Sequence, residues 1–285
     1  MDVFVRERDA LVAAAVFAAH EIGLYAAPPL PVPELAARLG VGARRLRALV
    51  DVLRHEGWPA TRPPRPAAPP PHGVGRLAEV LRNDAPLDEP ADLRRYHDHL
   101  YREGSAAADA MLSALGPAQA LLDAGGGAGG YTDAFLRRSP DARATLVDRP
   151  EVVALARETL ARHAARVRFV AGDLFEADLG AGHDLALLAN VTHWLAPDAC
   201  GRLVARVAAA LAPGGRLAVK DLYVEPDRAG PIRSLLFALS LAVYARDGDV
   251  HDADVTAGWL RAAGLGDVSV VRLPRGEMLV VGRKP

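Results

Sequence analysis

The chain has 285 residues, of which 51% are hydrophobic and 24% charged, and its formal net charge is -1. This length suits two globular domains, and the balanced charge excludes a general attraction to nucleic acid or to an anionic membrane. The single cysteine, Cys200, excludes an internal disulfide and favours a reducing, cytoplasmic location. The first residues mix acids with bases, and no apolar run approaches the roughly 20 residues of a membrane span, so we expect neither a signal peptide nor an anchor.

Helical patterning dominates the amino-terminal part of the chain. A short helix, PELAARLG, is followed at once by a second, GARRLRALVDVLRHEG, with apolar residues on one face. A proline-rich stretch from Trp58 to Gly75 would form an irregular wing. We therefore predict a small helical, winged-helix-like domain over residues 1–85.

Short apolar runs alternate with helical segments in the remainder, residues 86–285. This alternation predicts a doubly wound α/β domain with a parallel sheet. The predicted strands are QALLDAG, ATLVDR, VRFVAGD, DLALLAN, GRLAVKDLYV, VSVVRLP and EMLVVGRK. In such sheets the ligand binds at the carboxyl ends of the strands, and the polar residues found there are Asp123, Asp148, Asp173, Asn190 and His193.

A glycine-rich loop, LLDAGGGAGG, follows the first predicted strand and contains Gly125 and Gly127. The string satisfies the G-x-G-x-x-G dinucleotide fingerprint, and Asp148 could hold the ribose of either NAD or S-adenosylmethionine. Asp123 lies directly before the glycines, where its charge would repel a pyrophosphate but attract the ammonium and sulfonium groups of S-adenosylmethionine. Asp173 could bind an adenine amino group and Leu174 could pack on the ring. These features favour S-adenosylmethionine.

The combined motifs resemble the class I methyltransferases, and among them the small-molecule O-methyltransferases of secondary metabolism that carry an amino-terminal winged-helix dimerisation domain. PELAARLGVGARRLRALVDVLRHEG is similar to that domain, DAGGGAGG to the glycine motif, TLVDRPEV to the ribose segment, AGDLF to the adenine segment and LLANVTHWLAPDAC to the catalytic segment. The resemblance implies a homodimer, a final antiparallel strand, Asp148 on the ribose, Asp173 and Leu174 on the adenine, and His193 as general base toward a hydroxyl group.

The catalytic segment departs from the family pattern. The family usually has His-Asp-Trp there, whereas His193 is followed directly by Trp194, which we expect near the adenine. The family's later glutamate, which orients the histidine, has no clear match. Asp252 or Asp254 could replace it only by a shifted alignment.

The remaining expectations concern the acceptor and the rival functions. His97 and Tyr101 lie on a predicted helix that could cover the pocket, and Met111 could line it, although surface or core positions are alternatives. We expect no metal ion and a small-molecule acceptor. Methylation of carbon or nitrogen and a non-methylating biosynthetic reaction remain open, as does a DNA-binding regulator that senses S-adenosylmethionine, which the arginines of the second helix suggest.

Overall fold

The computed structural model describes residues 3–68, 73–87, 93–274 and 277–285. The chain forms two compact units. Unit 1 contains Met1–Pro90 and Tyr223–Asp252, and unit 2 contains Ala91–Leu222 and Ala253–Pro285. Within the described ranges, no helix is both long and apolar enough to cross a membrane.

Unit 1 is built from α-helices around an apolar core. The helices are α1 (Val3–Glu21), α2 (Val32–Leu39), α3 (Ala43–His55), α4 (Leu77–Asn83) and α9 (Ile232–Tyr244). The core residues include Leu35, Leu46, Leu49, Leu53, Leu81 and Leu235. In the part that the structure describes, the predicted wing forms no strand, and its residues 69–72 lie outside that part.

The placement of α9 in unit 1 differs from the predicted division at residue 85, which assigned this helix to the second domain. Two features hold the 223–252 segment on the amino-terminal helices. α9 is apolar around most of its circumference and packs against α3. Arg228, in the same segment, bonds Asp51 of α3 at 2.5 Å and Asp249 at 3.1 Å. The contact between Arg228 and Asp51 joins residues 177 positions apart, so no local pattern predicts it.

The arginines of α3 have a structural role within unit 1. Arg44 donates hydrogen bonds to the carbonyl oxygens of Arg246, at 2.8 Å, and of Gly248. Arg45, which is buried, donates to the carbonyl oxygens of Ala242 and Ala245. The last carbonyls of a helix have no partner within the helix, so Arg45 satisfies the carboxyl end of α9 and Arg44 the loop that follows it.

Unit 2 contains a sheet of seven strands in the order β3-β2-β1-β4-β5-β7-β6. The strands are β1 (Ala120–Ala124), β2 (Arg143–Asp148), β3 (Val167–Ala171), β4 (His183–Ala189), β5 (Leu211–Asp221), β6 (Gly266–Arg272) and β7 (Met278–Arg283). The first five are parallel, and β7 runs antiparallel to both β5 and β6. The predicted α/β fold with an antiparallel last strand is confirmed.

Among the residues of unit 2 that the structure describes, five α-helices accompany the sheet. They are α5 (Leu93–Leu115), α6 (Gly130–Arg138), α7 (Pro150–Thr159), α8 (Pro197–Ala209) and α10 (Ala253–Ala262). In the order of strands across the sheet, β2 and β3 lie to one side of β1, and β4 and β5 lie to its other side. Strand order therefore reverses between β1 and β4, and the crevice for a ligand opens at the carboxyl ends of these two strands.

Candidate active site

The glycine loop begins directly after Asp123 at the end of β1. Asp123 is 1% exposed, and its Oδ2 accepts a hydrogen bond of 2.6 Å from the Thr132 hydroxyl of α6. Its Oδ1 is buried and has no hydrogen-bond partner among the residues that the structure describes. Burial raises the pKa of Asp123 to about 6. The carboxyl group is therefore poorly stabilised as an anion until a positive charge comes near it.

The loop itself needs glycine at the predicted positions. Gly125 has φ 78° and Gly127 has φ 57°, both in the left-handed region that side chains disfavour. A Cβ at Gly125 would lie 2.6 Å from Cγ2 of Val191, the residue that follows β4 by two positions. The loop backbone thus packs closely against the chain that leaves β4, and the amides of Gly125 and Gly126 donate hydrogen bonds to the Val147 carbonyl oxygen of β2.

Asp148 ends β2 and supports the loop from the next strand. Its Oδ2 accepts a hydrogen bond of 2.8 Å from the Gly127 amide, and its Oδ1 accepts one of 2.8 Å from the Arg149 amide. His97 of α5 is buried beside the same glycine, because a Cβ at Gly127 would lie 3.6 Å from His97 Nδ1. Burial lowers the pKa of His97, with the Asp148 charge opposing that shift. The structure therefore brings His97 to the glycine loop and Asp148.

The residues predicted to contact adenine lie just beyond β3. Asp173 is exposed, and its Oδ1 accepts a hydrogen bond of 2.7 Å from the Phe175 amide. Leu174 is half-buried, and its Cδ1 lies 3.6 Å from where a Cβ of Gly125 would be. The side chain of Leu174 thus borders the glycine loop, as a wall of a nucleoside site would.

His193 lies in a 3₁₀ turn, Thr192–Trp194, after β4. Its side chain is 4% exposed, and its Nδ1 is 2.7 Å from Oδ1 of Asp221, the last residue of β5. The Thr192 hydroxyl donates to Asp221 Oδ2 at 2.8 Å, and the His193 amide approaches the same oxygen at 3.3 Å. Burial alone would raise the pKa of Asp221, but the His193 ring and these hydrogen bonds lower it below its ordinary value.

Asp221 is the functional residue that the sequence reasoning missed. A shifted alignment of the sequence offers Asp252 or Asp254 as the acid that orients His193, but the carboxylate that bonds its ring belongs to Asp221. The available signal was the Lys-Asp pair that ends the apolar run LAVKD, since polar residues at the carboxyl end of a parallel strand face the ligand.

The other predicted side chains are placed as follows. Trp194 is 42% exposed, and its ring centroid lies 5.4 Å from that of His193. The Tyr101 hydroxyl bonds Asp133 Oδ2 at 3.2 Å, and Met111 is fully buried in the core of unit 2. The position of Met111 favours core packing over an acceptor contact. Asn190 has φ 59° and accepts a hydrogen bond from Lys220. Within the described ranges, no group of three or more metal-ligating side chains is present.

A parallel sheet with an antiparallel last strand, a glycine loop after β1 and acids ending β2 and following β3 define the class I methyltransferase fold. Comparisons with known proteins agree. A family model described as an O-methyltransferase domain matches residues 87–265. The 3-hydroxy-5-methyl-1-naphthoate 3-O-methyltransferase of Streptomyces sahachiroi is 29% identical, over 94% of this chain and 90% of that protein. The tetracenomycin polyketide synthesis 8-O-methyltransferase of Streptomyces glaucescens is 28% identical, over 95% and 93%.

Among solved structures, an O-methyltransferase family 2 protein from Planctomyces limnophilus, crystallised with apigenin, has a TM-score of 0.81 and 25% identity. That match covers 99% of this chain and 95% of the other. The chain belongs to the O-methyltransferase domain family. It is an enzyme that uses S-adenosylmethionine, so the predicted class and cofactor are confirmed.

Proposed function

We propose that the protein transfers the methyl group of S-adenosylmethionine to a phenolic hydroxyl of a small secondary metabolite, with His193 as the general base. The observation that carries the proposal is the 2.7 Å hydrogen bond between His193 Nδ1 and buried Asp221 at the carboxyl edge of the sheet. A histidine whose ring is held in this way by a carboxylate is suited to act as a general base.

The acceptor class is supported by the relatives. Two of them are named for the methylation of a hydroxynaphthoate and of a tetracenomycin polyketide intermediate, and a structural neighbour was crystallised with the flavone apigenin. The half-exposed indole of Trp194 beside His193 offers a flat apolar surface on which such a ring could pack. A planar hydroxylated aromatic compound is therefore the acceptor that we expect.

Two features of the site fit the methionine part of the cofactor. The buried Oδ1 of Asp123 would accept a hydrogen bond from the ammonium group, and the left-handed glycines let the loop backbone approach the cofactor closely. Asp148 would bind the ribose hydroxyls through the remaining lone pairs of its carboxylate. Asp173 and Leu174 would contact the adenine. When bound, the cofactor supplies an electrophilic methyl group.

The residues of the chain then have distinct parts in the reaction. Asp221 fixes the ring of His193 through Nδ1, so Nε2 would take the proton as the acceptor oxygen attacks the methyl group. Because the imidazole becomes a cation at that moment, the negative charge of Asp221 stabilises it. The lowered pKa of Asp221 keeps that charge in place at neutral pH.

The test uses mass spectrometry to detect methylation across a panel of phenolic, amine and polyketide acceptors. His193→Ala should lower turnover about 10²- to 10⁴-fold with little change in cofactor affinity, because proton transfer is lost and binding is not. Asp221→Asn should also lower turnover, and Trp194→Ala serves as a neighbouring control that should raise the KM for the acceptor more than it lowers turnover. Near-normal turnover by His193→Ala across neutral pH would refute the histidine base and favour carbon or nitrogen methylation, which can proceed by orientation alone.

A DNA-binding regulator is less well supported. Arg44 and Arg45 of α3, two of the arginines that suggested a recognition helix, donate instead to backbone carbonyls at and just after the end of α9. Arg47 and Arg54 of this helix are exposed. Two exposed arginines supply a small part of the basic surface that phosphate contacts require.

A further inference from the structure

A buried lysine lies beside the site and takes no part in the chemistry described above. Lys220 is the residue before Asp221 in β5, and its side chain is 4% exposed. Its Nζ donates a hydrogen bond of 3.0 Å to Asn190 Oδ1 and lies 3.2 Å from Glu277 Oε1. The hydroxyl group of Tyr131, at the start of α6, is close enough to interact electrostatically with Lys220 and raises the pKa of the lysine. Lys220 thus gathers polar groups from three other parts of the chain.

The contact with Asn190 is the one that leads to the catalytic turn. Asn190 follows β4 directly and has φ 59°, a left-handed conformation in which the chain leaves the strand for the turn that carries His193. The backbone amide of Asn190 donates a hydrogen bond of 2.8 Å to the backbone carbonyl of Lys220. Lys220 therefore holds Asn190 through both its backbone and its side chain.

Two consecutive residues of β5 thus hold the two ends of the 190–193 segment. Successive side chains of a strand point to opposite faces of the sheet, so Lys220 acts from one face and Asp221 from the other. Asp221 bonds Thr192 and His193 at the far end of the segment. Lys220 bonds Asn190 at its near end.

We propose that Lys220 is a positioning residue for methyl transfer, which sets the place of the His193 ring by holding Asn190 while Glu277 balances its charge. The inference rests on the proposed function, because it assumes that His193 is the base. A buried ion pair by itself stabilises a fold little more than apolar residues of the same size would. The use of a lysine here is explained by the fixed, charged donor that it presents to Asn190.

The charge on Lys220 is maintained in the folded protein. Burial lowers its pKa, but the neighbouring Tyr131, Glu277 and Asp221 more than offset this, and the net direction is upward. Lys220 is therefore an ammonium group at neutral pH, and its hydrogen bond to Asn190 does not change with small changes in pH.

The experiment separates positioning from simple stabilisation by means of a charge-matched pair of variants. Lys220→Met leaves Glu277 buried without its partner and should lower the melting temperature. The double variant Lys220→Met/Glu277→Gln removes both charges and should regain most of the lost melting temperature. We expect kcat to fall about 10- to 100-fold in both variants, with the KM for S-adenosylmethionine nearly unchanged, because a small misplacement of a catalytic group has effects of that size. Recovery of kcat together with the melting temperature in the double variant would overturn the proposal.

Two further variants complete the design. Asn190→Gly keeps the left-handed backbone and removes the acceptor of the Lys220 hydrogen bond, so it should lower kcat by a similar factor. The double variant Asn190→Gly/Lys220→Met should have a kcat no lower than that of either single variant. Additive losses would contradict a shared route through Asn190. Lys284→Met is the matched control, since Lys284 bonds the carbonyls of Ala209 and Leu211 at the opposite end of β5 and its loss should leave kcat unaltered.

A measurement on the free protein requires no acceptor. The ¹⁵N shifts of the His193 ring, assigned by comparison with His193→Ala, should show the proton on Nδ1 in the wild type. They should show a mixture of tautomers in Lys220→Met/Glu277→Gln. An unchanged tautomer together with unchanged kcat in that variant overturns the Lys220 proposal alone. Full turnover by His193→Ala overturns the proposed function instead, so the two failures are distinguishable.

Discussion

The buried carboxyl group of Asp123 should make the free enzyme less stable than an uncharged variant. Asp123 has a pKa of about 6 in the folded protein, against an ordinary value of 3.8. A raised pKa stabilises the folded state below about pH 4, and this contribution is lost as the pH rises through about 6. Each pKa unit corresponds to about 1.4 kcal/mol, so ionisation of Asp123 costs the free enzyme about 3 kcal/mol above pH 7 and about half of that at pH 5.

Asp123→Asn removes this titration and keeps the shape of the side chain, including an oxygen that can accept from the Thr132 hydroxyl. Urea unfolding of the free proteins should show the variant more stable by about 3 kcal/mol at pH 8, with a gap of about 1.5 kcal/mol at pH 5. Asp141→Asn, an exchange at an exposed turn residue, should unfold as the wild type does at both pH values. Equal stability of Asp123→Asn and wild type at pH 8, or a gap that narrows as the pH rises, would refute the reasoning.

The same change should impair cofactor binding. Calorimetry at pH 8 should give a loss of about 1.5 to 3 kcal/mol in affinity for S-adenosylmethionine, because a hydrogen bond from the methionine ammonium group to a charged acceptor is lost. Wild-type affinity should also increase from pH 5 to pH 8 as Asp123 loses its proton, whereas the variant should lack this dependence. A variant that is more stable yet binds the cofactor as tightly would show that the carboxylate faces no positive charge.

Three other predictions concern binding, folding and assembly. Asp148→Ala should weaken S-adenosylmethionine binding by about 1.5 to 3 kcal/mol in calorimetry, and equal affinity would remove Asp148 from the ribose site. Asp51→Ala should destabilise the protein by about 3 kcal/mol in urea, because it leaves Arg228 buried with only one of its two acids; an unchanged midpoint would argue against that ion pair. We also propose a homodimer formed by the apolar amino-terminal helices, so light scattering at micromolar concentration should give twice the mass of one chain rather than a monomer.

The sheet and the cofactor end of the site follow from local sequence. Each predicted strand segment overlaps an observed strand, because a buried parallel strand needs a short, nearly continuous apolar run that the sequence displays directly. The glycine loop is equally local. Its left-handed positions at Gly125 and Gly127 favour a residue without a Cβ, and Asp123 lies two residues before Gly125. The acids at the strand ends could therefore be placed at the carboxyl edge of the sheet from position alone.

The catalytic end of the site depends on which distant residues the fold brings together. Asp221 meets His193 because β4 and β5 are paired in a register that places their carboxyl ends side by side, and the sequence does not display that register. The same pairing brings Lys220 to Asn190, and its side chain lies on the opposite face because successive side chains of a strand alternate. The packing of α9 in unit 1 likewise depends on contacts between residues about two hundred positions apart. One of them is the hydrogen bond from Arg44 to the Arg246 carbonyl, just after α9. Apolar periodicity shows that a helix has a face to bury, whereas only the packed structure decides what covers it.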